Sequence, residues 1–201
     1  MSNIEIDQHD LFIQRCFTWK FEHHDKYVPL IDQLLLISKN NLLDIKEETQ
    51  TNVYAWRSRW KLHQDFPIMN ELCNELTQVS KQIIKGEGVK NWDDLDVCDC
   101  WINIFKKDDY AVPHIHNVHN WSLVYFYKMP KNSSSLTFHN SYGITVKTDK
   151  REYSPTIDIK AQEGTVIFFP GWVHHSVDKN QSEEDRITIA INFEDKFKNN
   201  V

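Results

Sequence analysis

The sequence predicts an α+β fold in which helices come first and a β-sandwich or barrel follows. Three observations predict it. Apolar residues recur at helical spacing in the first half of the chain. The second half breaks into short runs in which apolar and polar residues alternate, with turn signals between them. The 201 residues are 40% hydrophobic and 12% aromatic, with seven Trp, which is enough to bury a core and too apolar for disorder.

The elements follow in chain order. Residues 27–44, YVPLIDQLLLISKNNLLD, place Leu30, Leu34 and Ile37 at helical spacing. Residues 67–86, PIMNELCNELTQVSKQIIKG, make the clearest helix. Pro67 suits its first turn, Gly86 suits its stop, and Ile68, Leu72, Leu76, Val79 and Ile83 form one stripe. Such stripes read as core packing rather than a cofactor box. Strands are expected at 97–105, 121–128, 134–140, 142–148, 156–161, 164–170 and 186–194. No Pro/Gly/Ser-rich linker divides the halves. We therefore expect a single domain over 1–201, with a mainly helical buttress at 1–95 and a β core at 96–196.

Bulk properties exclude several roles. A net charge of -6 argues against a chain devoted to gripping phosphate backbones. No apolar run reaches the ~18 residues of a membrane span. The start, MSNIEIDQHDLF, lacks the charged and apolar regions of a signal peptide, so a cytoplasmic location with no membrane partner is expected. Of the four cysteines, Cys16, Cys73, Cys98 and Cys100, the last two stand in a C-x-C, not the C-x-x-C of redox or zinc motifs, and read as small strand residues in a reducing compartment. A symmetric homodimer is the default assembly.

The histidines are the most informative residues. His114 and His116 lie two apart, so in an extended segment both rings point to one side. Neutral imidazole is the commonest protein metal ligand. A third ligand is offered downstream by FFPGWVHHSV, residues 168–177. His174 and His175 there face opposite ways, so one of the pair joins the site. His9, His23, His24 and His63 read as surface or hydrogen-bonded residues. His119 and His139 fit either a pocket wall or, more simply, the surface. In RITIAINFE, Arg186, Thr188, Ala190 and Asn192 share one face, while Ile187, Ile189, Ile191 and Phe193 take the core face. A guanidinium on a pocket wall matches a carboxylate bidentately. The bland alternative is a surface pair with Glu183 or Asp185.

Taken in order, HIHNVHNWSLVYFY, EGTVIFFPGWVHHSV and RITIAINF resemble the metal-binding core of the 2-oxoglutarate- and iron(II)-dependent oxygenases. The nearest likeness is to an uncharacterised branch of bacterial and phage type, related to prolyl hydroxylases. His114, His116, Ser122, Val124, Tyr125 and Phe126 carry the first part. Glu163, Gly164, Phe169, Pro170, Trp172, His175 and Val177 carry the second. Arg186, Ile187 and Thr188 close it, and Trp101 with Asn103 stand upstream. The likeness spans about residues 97–194.

The resemblance implies a double-stranded β-helix (jelly-roll, cupin-like) core with N-terminal helices packed against one sheet. It implies Fe(II) held by His114, His116 and His175, and 2-oxoglutarate as cosubstrate. The far carboxylate of that cosubstrate would meet Arg186 and Thr188, with Tyr125, Tyr127 and Asn103 as further cofactor-binding residues. With O2, decarboxylation to succinate and CO2 would accompany hydroxylation of an unidentified substrate: a small molecule, a nucleotide or a protein residue. The chain departs from the superfamily's usual His-x-Asp/Glu…His triad by offering His116 where a carboxylate is usual. A three-imidazole set leaves the metal one unit more positive and favours later first-row metals. His174 is the reserve for the distal ligand. Two alternatives stay open. One is a three-histidine cupin-like dioxygenase that needs no oxo acid, with Arg186 binding a substrate carboxylate directly. The other is a non-catalytic jelly-roll module that keeps a metal or an oxo acid.

Overall fold

Alternation along the strands sorts the β half into two faces, and each face finds its own partner layer. The computed structural model describes residues 14–38, 52–116, 119–140, 146–147, 152–153 and 155–195. In chain order the elements are β1 (Phe17–Lys20), α1 (His24–Ser38), β2 (Val53–Tyr54), β3 (Trp56–Arg57), α2 (Leu62–Asp65) and α3 (Pro67–Gly86). A 3-10 turn (Trp92–Asp94) leads to β4 (Leu95–Phe105), β5 (Tyr110–His114), β6 (Trp121–Lys128) and β7 (Leu136–His139). Then come β8 (Val146–Lys147), β9 (Glu152–Tyr153), β10 (Thr156–Ile159), β11 (Thr165–Pro170), β12 (His175–Val177) and β13 (Arg186–Asp195).

Six strands form the larger sheet, in the order β1-β11-β6-β13-β4-β3; five form the smaller, in the order β10-β7-β12-β5-β2. A separate ribbon pairs β8 with β9. On β13 the residues Ile187, Ile189, Ile191 and Phe193 join Leu123 of β6 and Val166 and Phe168 of β11 in a core capped by α1 and α3. The other face of the larger sheet sends Phe105, Phe126, Ile167 and Phe169 to meet Ala111, Leu136, Phe138 and Val177 of the smaller sheet. This is a jelly-roll sandwich with helices on the outside of one sheet. Burying each such side chain contributes about 1.5–3 kcal/mol, which makes the two interlayer cores the main source of stability.

Helix α3 has the predicted bounds, but its buried face is rotated from the predicted stripe. Met69, Leu72, Cys73, Leu76, Thr77, Ser80 and Ile84 face inward, while Val79 is 38% exposed. Two polar residues can sit on that face because each hydroxyl bonds back to a carbonyl of its own helix: Thr77 to Cys73 O and Ser80 to Leu76 O. Apolar counting does not see them. Helix α1 begins earlier than predicted and buries Tyr27, Ile31, Leu34 and Leu35, leaving Leu30 exposed. Residues 39–44 of the predicted helix, and 142–145 and 148 of the predicted fourth strand, lie outside the described residues.

The half read as helical also supplies β1, β2 and β3. Each has four residues or fewer and each lies at a sheet edge. Runs that short cannot display alternation, so the sequence alone does not reveal them. No helix among the described residues is long and apolar enough to cross a membrane.

Candidate metal centre

β5 and β12 are antiparallel neighbours, and His114 stands directly opposite His175 in their register. Opposed residues share a face, so the two rings meet, with centroids 4.3 Å apart. His116, two residues on, is fixed where its N–H donates to Gly171 O at 2.8 Å. Its ring lies parallel to that of His175, with centroids 5.1 Å apart and the two Nε2 atoms separated by 3.3 Å. The donor atoms of all three histidines fall within 4.8 Å of one another.

The tautomers are set by the backbone. His114 Nδ1 donates to Val112 O at 2.8 Å, and His175 Nδ1 donates to Val173 O at 2.9 Å. Each such bond leaves Nε2 as a lone pair aimed at the common point, the arrangement a metal-ligating imidazole needs. Burial lowers all three pKa values, that of His116 to about 3, so the rings are neutral at physiological pH. His174, the reserve ligand, is exposed and is not among the three histidines whose donor atoms converge.

Arg186 lies on the same cavity wall, together with Thr188, Ala190, Asn103 and Trp101. The strand register explains the grouping: Arg186 pairs with Phe105, Thr188 with Asn103 and Ala190 with Trp101. The Arg186 side chain is 1% exposed and lies between the rings of Phe105 and Phe126, 4.8 and 5.3 Å from their centroids. Nε donates to Ser134 O at 3.2 Å, while Nη1 and Nη2 are buried with no hydrogen-bond partner among the described residues. Desolvation lowers its pKa to about 9, so it remains cationic at neutral pH. A buried cation with two idle donors is costly unless an anion joins it. Asn103 is oriented by accepting a bond from Trp101 Nε1 at 3.0 Å.

Tyr125 and Tyr127 do not reach this cavity, which corrects their expected role in binding a cosubstrate. Both project to the helical side of β6: the Tyr125 hydroxyl meets His24 Nδ1 at 2.5 Å, and Tyr127 donates to Val28 O and Asp32. Phe126 and Val124, one step away in alternation, take the cavity side. Both faces of β6 are buried, so apolarity does not tell them apart. Pairing does, because Phe126 stands opposite Thr188. The sequence also gives no signal for Val53, Phe105 and Leu136 in the cavity wall. His139 is tied up by Ser176 Oγ at 2.8 Å, and His119 belongs to another cluster, described below.

A jelly roll thus brings three converging imidazoles that could hold a metal ion into one cavity with a buried guanidinium whose Nη atoms have no hydrogen-bond partner among the described residues. Residues 99–192 match the family described as "Putative 2OG-Fe(II) oxygenase". Several solved structures share the fold at low identity. The alpha ketoglutarate dependent carbocyclase SnoK from nogalamycin biosynthesis is 11% identical, with 90% of this chain and 80% of that chain covered and a TM-score of 0.68. A Pseudomonas putida prolyl-4-hydroxylase is 13% identical over 90% of this chain and 92% of its own, with a TM-score of 0.64. HygX from Streptomyces hygroscopicus, solved with nickel and 2-oxoglutarate bound, is 10% identical over 92% and 84%, with a TM-score of 0.61. No curated protein matches the chain. The family match thus covers the strands that carry the three histidines and Arg186, and the solved structures share the fold of the chain.

Proposed function

We propose that this protein is an iron(II)- and 2-oxoglutarate-dependent dioxygenase that oxidises a still unidentified substrate. The observation that carries the reading is Arg186, a fully buried cation with two idle donors in the cavity that also holds the three histidines. A dianion would answer both a divalent metal held by the histidines and the Arg186 guanidinium, which a neutral ligand would not.

His114, His116 and His175 would hold the metal through Nε2. Arg186 and Thr188 would take the far carboxylate of 2-oxoglutarate, with Asn103 on the adjoining strand. Bound iron supplies O2 activation coupled to decarboxylation of the oxo acid. The chain's own residues do the rest. Val112 O and Val173 O keep two imidazoles in the ligating tautomer. Three neutral ligands leave the full charge of a divalent ion, which with Arg186 attracts a dianion more strongly than a site holding a carboxylate would. The walls formed by Trp101, Phe105, Leu136 and Val177 would limit water at the reacting region.

The test is aerobic incubation with Fe(II) and 2-oxoglutarate, following succinate and O2 together. Slow succinate formation that needs both iron and O2 is the expected result. O2 uptake with an added substrate but no succinate would instead favour a three-histidine dioxygenase. Metal binding with neither product nor O2 uptake would point to a non-catalytic module.

A further inference from the structure

A second group of metal-type donors lies outside the three-histidine centre and shares no ligand with it. We propose that Cys98, Asp99 and His119, with Glu194 beside them, form a second cation site suited to a borderline-soft divalent ion such as zinc.

The site originates in a β-bulge. In the β4–β13 register Asn192 stands opposite Asp99 and Phe193 opposite Val97, so Cys98 is the extra residue with no partner. A bulge breaks the alternation of side chains and re-aims one of them. Here it lets two consecutive residues converge, with Cys98 Sγ 3.6 Å from Asp99 Oδ2. His119 is brought over this point by its own N–H bond to His116 O and by the Asn120 N–H bond to Phe193 O. Its Nδ1 is then 3.1 Å from Cys98 Sγ and 3.4 Å from Glu194 Oε1, and its Nε2 is 3.2 Å from Asp99 Oδ2. One donor atom from each of Cys98, Asp99 and His119 lies within 4.8 Å of the others. Tetrahedral zinc with bonds of about 2.0–2.3 Å sets its donors roughly 3.3–3.8 Å apart. With Nδ1 as the ligating nitrogen, His119 and Cys98 Sγ are near that spacing, and the Asp99 carboxylate, now on Nε2, must turn toward the same point to join them.

Charge and shelter agree. The His119 and Asp99 side chains are only 13% and 14% exposed. Lys61 occupies Asp99 Oδ1 at 2.9 Å and leaves Oδ2 for the cluster. Two carboxylates and a thiolate, less the Lys61 ammonium, give a net charge that a divalent ion cancels. Without a cation, burial and the neighbouring carboxylates push the Cys98 thiol up, so it stays protonated. Without an ion, the Cys98 thiol lies in hydrogen-bond reach of His119 Nδ1 and Asp99 Oδ2, and His119 pairs with Asp99 and Glu194, so the donors are gathered at one place before a cation arrives. Thiolate, imidazole and carboxylate together are the donor set of zinc.

Cobalt(II) is the probe, because a cobalt–thiolate bond gives near-ultraviolet charge-transfer absorption that nitrogen and oxygen ligands do not. The full chain should bind two equivalents of cobalt and show that band. His175→Ala should keep the band and lose one equivalent. Cys98→Ser and His119→Gln should lose the band and one equivalent while retaining native circular dichroism. Cys98→Ser should keep the three-histidine equivalent. A wild-type protein with no sulfur–cobalt band would overturn the proposal, as would a band that survives Cys98→Ser. Neither result bears on the three-histidine centre, which the nitrogen-ligated equivalent reports separately.

Discussion

Arg186 carries a desolvated charge between two phenyl faces, and among the described residues only one of its nitrogens has a hydrogen-bond partner. Methionine has similar length and no charge, so Arg186→Met should stabilise the metal- and ligand-free protein by about 1–3 kcal/mol in denaturant melts. The same change should weaken 2-oxoglutarate binding about a hundredfold or more by calorimetry, the equivalent of roughly 3 kcal/mol of charge-assisted hydrogen bonding, and leave metal binding intact. Unaltered affinity would remove Arg186 from the site. The histidines set a pH dependence of definite sign. Burial, then repulsion from neighbouring histidines, lowers the His116 pKa from 6.5 to about 3, and burial lowers His114 and His175 as well. In that window the unfolded chain binds more protons than the folded one. Stability of the metal-free protein is therefore full above pH 6.5 and falls as the solution is acidified toward pH 3. Urea melts across that range should show the decline, and His116→Asn should make it shallower. A flat profile would mean that the rings are more hydrated than their burial implies.

At the scale of elements, the piece that locks the centre is the turn between β11 and β12. Gly171 donates to Asn120 O at 3.0 Å and accepts the His116 N–H. A Cβ there would lie 2.2 Å from the backbone oxygen of His119, which cannot move aside cheaply. Gly171→Ala should cost about 1–3 kcal/mol as an overpacked contact, and should weaken metal binding because His116 rides on the displaced segment. Thermal melts and a metal titration check both parts; normal metal affinity in this variant would contradict the locking role. The elements also explain what was legible in the sequence. β13 reads cleanly because one face is all aliphatic or aromatic while the other holds Arg186 and Thr188. The HxH pair and His175 are legible because strand geometry alone puts i and i+2 on one side. Tyr125 and Tyr127 mislead because β6 lies between β11 and β13 and is buried on both faces. The face of α3 misleads because Thr77 and Ser80 satisfy themselves locally. The Cys98 bulge is invisible until the register is known, since a bulge is a property of two strands and not of one.

For the whole molecule, the sandwich brings the three neutral histidines and the Arg186 cation into one cavity and spaces them through the strand register. His114 and His175 come from the smaller sheet and Arg186 from the larger. The layers must therefore be docked for the site to exist, and a ligand that spans both should hold them together. By linkage, 2-oxoglutarate should raise the melting temperature more with a divalent metal present than without it. A shift that ignores the metal would separate the two centres. The most direct test is an anaerobic titration of the iron(II) protein with 2-oxoglutarate, following visible absorption. The expected result is a metal-to-ligand charge-transfer band from a chelated oxo acid, saturating at one equivalent, with Arg186→Met shifting the midpoint to about a hundredfold higher concentration. A spectrum that stays unchanged while iron is bound would contradict the shared metal and oxo-acid site.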